Sequence, residues 1–482
     1  MLQHIISEAI ILTRSDIQNF VYAQETQTAI RETLAEIIAI PSVSVDGTAP
    51  HVFGDATAAA LDKILEIGKQ YGFACENHDY YCGSILMPGE NPADEIGIIA
   101  HIDVVPAVEG WEYPRFELTI DEEKGIFVGR GVRDDKGPAI MALTAMRFFK
   151  ENNIRLPFSV RLILGCDEER GMDDLSHYLE SHQPPRFSFS PDSAFPVCIG
   201  EKGIARLAFD LGVADGGLVS LCGGIVTNSV ADRAEAAFLP EKCAALMALT
   251  LPEGISLSAN SNGEPVLTAL GKSAHAAEPH GSVNAILKLA QFILDSAILD
   301  DDSNAKRALT FLTAAFADNY GTGLDMASSD EITGKLTCIC GLAATADGHL
   351  HFDSNIRYPS SKDFAELFAK AEAVVKNTGY DVKLVSDSKG YVFSPDKAEI
   401  LALSKAVTEF TGKEAKPYTM GGGTYARAFP NTVAFGAVMS ENDNILGEGR
   451  GNAHERDEAI RIGEFNLAIE IFIRALANLA GL

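Results

Sequence analysis

The sequence predicts an α/β protein, a doubly wound domain interrupted by an inserted α+β domain. Three observations predict it. Apolar runs alternate with helical segments up to about residue 200 and again from about 395. The run Ile96-Gly97-Ile98-Ile99-Ala100 is apolar throughout and flanked by turn-formers, as in a parallel strand buried on both faces. Between those blocks the segments shorten, alternate apolar with polar residues and carry many glycines.

In order, residues 25–40 have helical spacing (Ile30, Leu34, Ile37, Ile38) and stop at Pro41. A helix over 56–71 ends at Gly72, and strands follow at 84–87 and 96–100. Pro138 opens a helix that runs to about Lys150, since Pro is favourable in a first turn. A strand at 159–165 and a helix near 174–180 complete the first block. The middle block gives the alternating strand Ala205–Leu211, a helix at 283–297, strands at 336–342 and 349–356, and a helix at 362–377. The last block gives a helix at 396–410, a strand at 432–435 and a terminal helix from Asp457 to Leu479. The expected domains are therefore 1–199 with 391–482, and an insert over 200–390.

A chain of 482 residues can bury a large core and form more than one domain. Its net charge of −28 would repel nucleic acid and anionic membranes, so neither is an expected partner. No stretch approaches the run of about 18 apolar residues that a membrane span requires. Met1 to Phe20 lacks a basic start and reads as an amphipathic helix, not a signal peptide. The eight cysteines are scattered without any Cys-x-x-Cys, which suits free thiols in the cytoplasm and excludes a zinc ribbon.

Five stretches carry metal-ligating residue types. His101-Ile102-Asp103 follows the central strand, and on an extended backbone His101 and Asp103 point the same way. The carboxyl ends of parallel strands are where sites are built. There a His can bind a metal through one ring nitrogen while a carboxylate holds the other. Gly129-Arg130-Gly131-Val132-Arg133-Asp134-Asp135-Lys136-Gly137 places Asp134 just before a helix, where an Asp is also an ordinary N-cap. Asp167-Glu168-Glu169 ends a buried strand. Consecutive acids there form either a solvated turn or the carboxylates of a metal site with its general base. In Ser188-Phe189-Ser190-Pro191-Asp192-Ser193 one Asp comes straight after a short apolar segment, and His454 precedes the last helix. Each of these two, alone, reads as structural.

In this order the five resemble the co-catalytic zinc hydrolases that include aminoacylase, glutamate carboxypeptidase and the peptidase V dipeptidases. The resemblance covers nearly the whole chain. It implies that Asp134 bridges two zinc ions, with His101 and Asp192 on one and Glu169 and His454 on the other. Mn²⁺ and Co²⁺ are possible substitutes. It implies that Asp103 supports His101, that Glu168 is the general base, and that a water shared by the ions is the nucleophile. Zinc with open positions suits imidazole and carboxylate ligands. The family also holds cis the bond that here joins Asp134 and Asp135.

The insert carries Gly271-Lys272-Ser273-Ala274-His275, similar to the family's lid motif, whose His stabilises the tetrahedral oxyanion. That role falls on His275. Asn355-Ile356-Arg357-Tyr358-Pro359 resembles the segment whose Arg grips a terminal carboxylate. Gly421-Gly422-Gly423-Thr424-Tyr425 resembles a glycine-rich loop lining the substrate cleft, which puts Gly422 and Gly423 there, and Asn228 is matched to the same cleft. His280 is read as a loop residue, and His349 and His351 as structural. The long insert points to the peptidase V branch. The implied activity is hydrolysis of dipeptides with a free amine and a free carboxylate, by a cytoplasmic monomer acting on a small peptide. A deacylase of N-acyl amino acids and a non-catalytic metal-binding protein are the rival readings.

Overall fold

The structure, a computed structural model, describes residues 12–440 and 443–482. It comprises two compact units: Met1–Ile199, Phe393–Tyr418 and Thr424–Leu482 in one, Gly200–Val392 and Thr419–Gly423 in the other. Tyr391 and Val392 fall in the second because they pair with Glu201 and Gly200.

The first unit is built on a twisted sheet whose central strands are parallel. Phe158–Gly165 lies beside Asn91–His101, which lies beside Phe187–Ser190, which lies beside Thr432–Ala434. Cys82–Met87 and the edge strand Ala74–His78 extend it with antiparallel pairing. Side chains of a strand alternate between faces, and both faces here are buried. Ile98, Ala100, Leu162 and Leu164 join the large core under the helices Gln24–Ile38, Lys136–Glu151 and Ile462–Ala480. Ile99 and Ile163 join a second cluster with Leu175 and Tyr178 of the helix Asp173–Ser181. That is a doubly wound arrangement, and it explains why the central strands read as continuous apolar runs. Each fully buried aliphatic side chain contributes about 1.5–3 kcal/mol.

Lys136–Glu151 is buried from Lys136 through Phe149, and the terminal helix from Phe465 through Ala477 apart from half-buried Leu467. Helices this apolar belong in an interior, and the charged residues they bury find partners, Lys136 on the Ile37 and Ile40 carbonyls and Arg474 on the Leu12 carbonyl. The terminal helix begins at Ile462, later than the expected Asp457, because Ala459–Arg461 pairs as a strand with Ile126–Val128. The segment Met1–Phe20 yields a helix at Arg14–Val21 with a Thr13–Asp16 capping box, and its first eleven residues lie outside the described residues.

The second unit has an eight-stranded antiparallel sheet. Its order is Ile255–Ala259, Pro265–Leu270, Arg233–Phe238, Leu218–Gly223, Thr337–Ala346, His349–Tyr358, Gly203–Val213 and Asp381–Ser388. The strand Gly203–Val213 alternates buried and half-buried residues through Gly212, as one packed face requires. Helices Ala285–Asp295, Asn304–Ala315 and Phe364–Lys376 share one apolar cluster with the sheet. The sheet falls into two four-stranded halves, whose strands pair at Gly223 and Ala343. Thr345 reinforces that seam, its Oγ1 accepting from Leu221 N at 2.8 Å and lying 3.2 Å from Leu221 O.

Candidate metal centre

Parallel strands deliver their carboxyl ends to one edge of the first unit's sheet. His101 ends its strand directly opposite Gly165, the last residue of the neighbouring strand. Asp103 and the acids Asp167, Glu168 and Glu169 therefore start side by side. Asp192 lies two residues beyond the end of the strand on the other flank. Asp134 sits just ahead of the helix Lys136–Glu151 but does not cap it; the cap position is Asp135, and no side chain caps that end. The Asp134–Asp135 bond is cis, as the resemblance implies.

Two ligand trios share Asp134. His101, Asp134 and Asp192 form one, Asp134, Glu169 and His454 the other, with the ligand atoms of each trio within 4.8 Å of one another. His101 Nε2 is 3.0 Å from Asp134 Oδ1 and 3.9 Å from Asp192 Oδ2. His454 Nε2 is 2.9 Å from Asp134 Oδ2 and 3.2 Å from Glu169 Oε1. The two oxygens of one carboxylate thus face two different imidazoles.

The support is also specific. His101 Nδ1 lies 3.0 Å from the Asp103 backbone carbonyl and 3.4 Å from the Asp103 carboxylate. The carbonyl accepts the Nδ1 proton, which leaves Nε2 as the nitrogen facing Asp134 and Asp192. The Asp103 carboxylate turns mainly to the acidic loop, accepting from Glu168 N at 3.3 Å and Glu169 N at 3.1 Å. It positions both glutamates through their backbone.

The electrostatics are those of acids short of positive charge. Burial, then the neighbouring charges of Asp134 and Glu168, pushes the Asp192 carboxyl well up. Burial also raises Glu168 and Glu169, whose acidic neighbours push the same way. Burial opposes ionisation of Asp134, but hydrogen bonds from His101 and His454 outweigh it and hold that carboxyl below the usual range. Desolvation opposes charge on both imidazoles, His101 being buried and the His454 side chain exposed, yet these carboxylates lift both well above their ordinary value. Protonated imidazoles supply the charge the acids demand, and divalent cations would supply more. Mixed imidazole and carboxylate donors fit zinc-class ions.

Two buried acids with no role in the sequence reading hold this arrangement. Glu458 Oε1 accepts from the backbone N–H groups of Gly131, Arg133 and Asp134 at 2.9–3.1 Å, and its Oε2 accepts from Arg130 at 2.6 Å. Asp174 accepts from Cys166 N at 2.6 Å, from Asp167 N at 2.9 Å and from the Tyr425 hydroxyl. Sequence offers one signal for each, an acid within a few residues of a motif; neither acid could be told from a solvated one.

The other predicted residues lie in the second unit. Asn228 and His275 are exposed on paired segments, with Ser229 opposite His275 and Ala276 N donating to Asn228 O at 2.8 Å. Arg357 is buried; its Nε donates to Asn355 Oδ1 and its Nη1 to Gly421 O, both at 2.8 Å. Gly421 packs so closely that an added Cβ would meet the Ala277 side chain at 2.7 Å, whereas Gly422 has ordinary room. Neither Gly422 nor Gly423 takes a positive φ, so the conformational freedom of the triplet is unused there. His349 pairs with Asp210 at 3.0 Å, a structural contact.

Against known proteins, residues 97–478 match the model of Peptidase family M20/M25/M40. The chain belongs to this peptidase family. It is 32% identical over 475 residues to a Bacillus subtilis (strain 168) protein named "Putative dipeptidase YtjP", covering 95% of this chain and 98% of that one. A Staphylococcus aureus (strain MRSA252) protein of the same description, SAR1836, is 30% identical over 473 residues, with coverage of 95% and 98%. Among solved structures, the di-peptidase Dug1p from Saccharomyces cerevisiae superimposes with a TM-score of 0.60 at 14% identity, covering 98% of this chain and 99% of that one. Human carnosine dipeptidase 1 gives 0.59 at 13%, covering 98% and 100%. At these identities the structures bear on the fold, and they match its α/β class.

Proposed function

We propose that this chain is a two-metal dipeptidase. The observation that carries the proposal is Asp134, one carboxylate whose two oxygens face two separate trios. His101 and Asp192 would complete one ion's protein ligands, Glu169 and His454 the other's. A bound pair of zinc-class ions supplies Lewis acidity toward the scissile carbonyl and lowers the pKa of water.

Glu168 is the proton carrier. It takes a proton from the attacking water and returns it to the leaving amine, as a positioned carboxylate can. Asp103 keeps Glu168 and Glu169 in register. His275 donates to the developing oxyanion. Arg357, oriented by Asn355 and Gly421, clamps the substrate's terminal carboxylate, with Asn228, Gly422 and Gly423 lining the cleft. The names of the curated relatives support small peptides as substrates.

The test is a hydrolysis panel of free and N-acylated dipeptides with added Zn²⁺, Mn²⁺ or Co²⁺. The proposal expects cleavage of free dipeptides only. Cleavage of N-acyl amino acids with free dipeptides untouched would make the chain a deacylase, and no cleavage of either, with metal bound, would make it a binding protein.

A further inference from the structure

Away from the centre just described, Glu76, His78 and His182 form another trio whose ligand atoms lie within 4.8 Å of one another. Glu76 and His78 are alternate residues of the edge strand Ala74–His78, so they share one face of the sheet. On that face lies Tyr178 of the helix Asp173–Ser181, its ring 5.0 Å from the His78 ring, and the helix ends at His182, whose ring is 4.7 Å from that of His78. We propose that Glu76, His78 and His182 bind a divalent transition-metal ion of the zinc class, stapling the edge strand to the end of this helix.

The hydrogen bonds favour ligation over a chance cluster. His78 is buried, and its Nε2 is 3.0 Å from Ser84 Oγ, which leaves Nδ1 to offer a lone pair. His182 Nδ1 lies 3.3 Å from the Tyr178 carbonyl and 2.9 Å from Ser181 Oγ, which leaves Nε2. In both rings one nitrogen is engaged, as in ligating imidazoles generally. Tyr178 stacks on His182 at 4.4 Å and fixes the plane of that ring. Zinc takes nitrogen and oxygen ligands at about 2.0–2.2 Å, so two ligands of one ion lie at most roughly 4.4 Å apart. Side-chain movements of under an ångström would close this trio. Two imidazoles and one carboxylate select zinc, cobalt, nickel or copper over magnesium and calcium. With Glu76 exposed, a fourth position would be left to water.

The full chain is dialysed against Co²⁺ and its total bound transition metal counted, alongside His182→Ala and Glu76→Gln. The unsubstituted chain should hold one ion more than either variant. Because the readout is a difference, an error in the two-ion reading changes the totals and not the result. Equal counts in all three chains would overturn the proposal. The unsubstituted chain gives a second reading that no folding defect can obscure. With Co²⁺ at about ten times its Kd, labelling of His182 by diethyl pyrocarbonate should fall roughly tenfold by mass action, and unchanged labelling would overturn the site.

Discussion

Glu458 accepts the backbone N–H of Asp134 at 3.1 Å, four residues after His454. One buried carboxylate therefore ties the loop that carries Asp134 to the segment that carries His454. The same carboxylate receives Arg130, and both side chains are nearly inaccessible to water. Breaking such a pair leaves an uncompensated buried charge. Glu458→Gln should destabilise the chain by about 3–5 kcal/mol, read from urea unfolding. It should also weaken metal affinity by roughly 10–100-fold, as loss of supporting partners does. A variant with unchanged unfolding midpoint and metal content would show that the tie is dispensable.

Asp134→Ala should remove both ions together, because one carboxylate serves both trios. Elemental analysis after dialysis measures this directly. Retention of two ions per chain would rule out a shared ligand.

Glu168→Gln separates binding from chemistry. The substitution leaves every proposed ligand in place, so metal content should match the parent. The rate should fall by about 10²–10⁴, the usual contribution of a positioned general base. A kcat close to that of the parent would remove Glu168 from the role.

Asp174 gives a pH prediction. Burial raises its carboxyl to about 7 even though Tyr425 and backbone amides donate to it. The folded state therefore holds this proton more tightly than the unfolded chain, whose Asp titrates near its ordinary value of about 3.9. Stability from this group is complete below about pH 4, falls as pH rises and levels off above about 7, by on the order of 4 kcal/mol. Tyr425→Phe removes a donor to the ionised form, so it should raise the Asp174 pKa and carry that fall on to higher pH. Unfolding midpoints of both chains between pH 4 and 9 test this, and profiles that level off at the same pH would count against it. Gly165 belongs to the same knot, since a Cβ there would sit 1.9 Å from the Tyr425 hydroxyl.

The core strand and the ligand types were legible because parallel burial writes apolar runs that end in polar residues. His101, Asp134, Glu169, Asp192 and His454 stand in five separate stretches, and the topology brings all five to one sheet edge. Glu458 and Asp174 were not legible, since their work is done through backbone amides and nothing in a sequence marks which amides an acid will meet. The helix Asn304–Ala315 was missed although Ser303 caps it and Ala305, Ala308, Leu309 and Leu312 line its buried face. The strand Asp381–Ser388 had no such signal. It is an edge strand exposed along most of its length, so no buried face imposes a pattern.

The proposed active unit is a single chain, and its insert is the reason. The long insert is the feature that resembles the peptidase V branch, and its sheet has two four-stranded halves within one chain. His275 and Glu168 would then serve the same site from one chain. A mixture of inactive His275→Ala and inactive Glu168→Gln chains should accordingly stay inactive, because no intact site can form by exchange. Recovery of activity would require a site shared between chains. Substrate length follows from the clamp. With Arg357 holding the terminal carboxylate, the dipeptide presents its only peptide bond to the metals, and an added C-terminal residue moves that carboxylate out of reach. Losing the charge-assisted bond to that carboxylate costs roughly 1–3 kcal/mol, so the extended tripeptide should lose about 5–150-fold in kcat/KM. The comparison is a dipeptide against its C-terminally extended tripeptide, and similar kcat/KM for the two would dismiss the clamp.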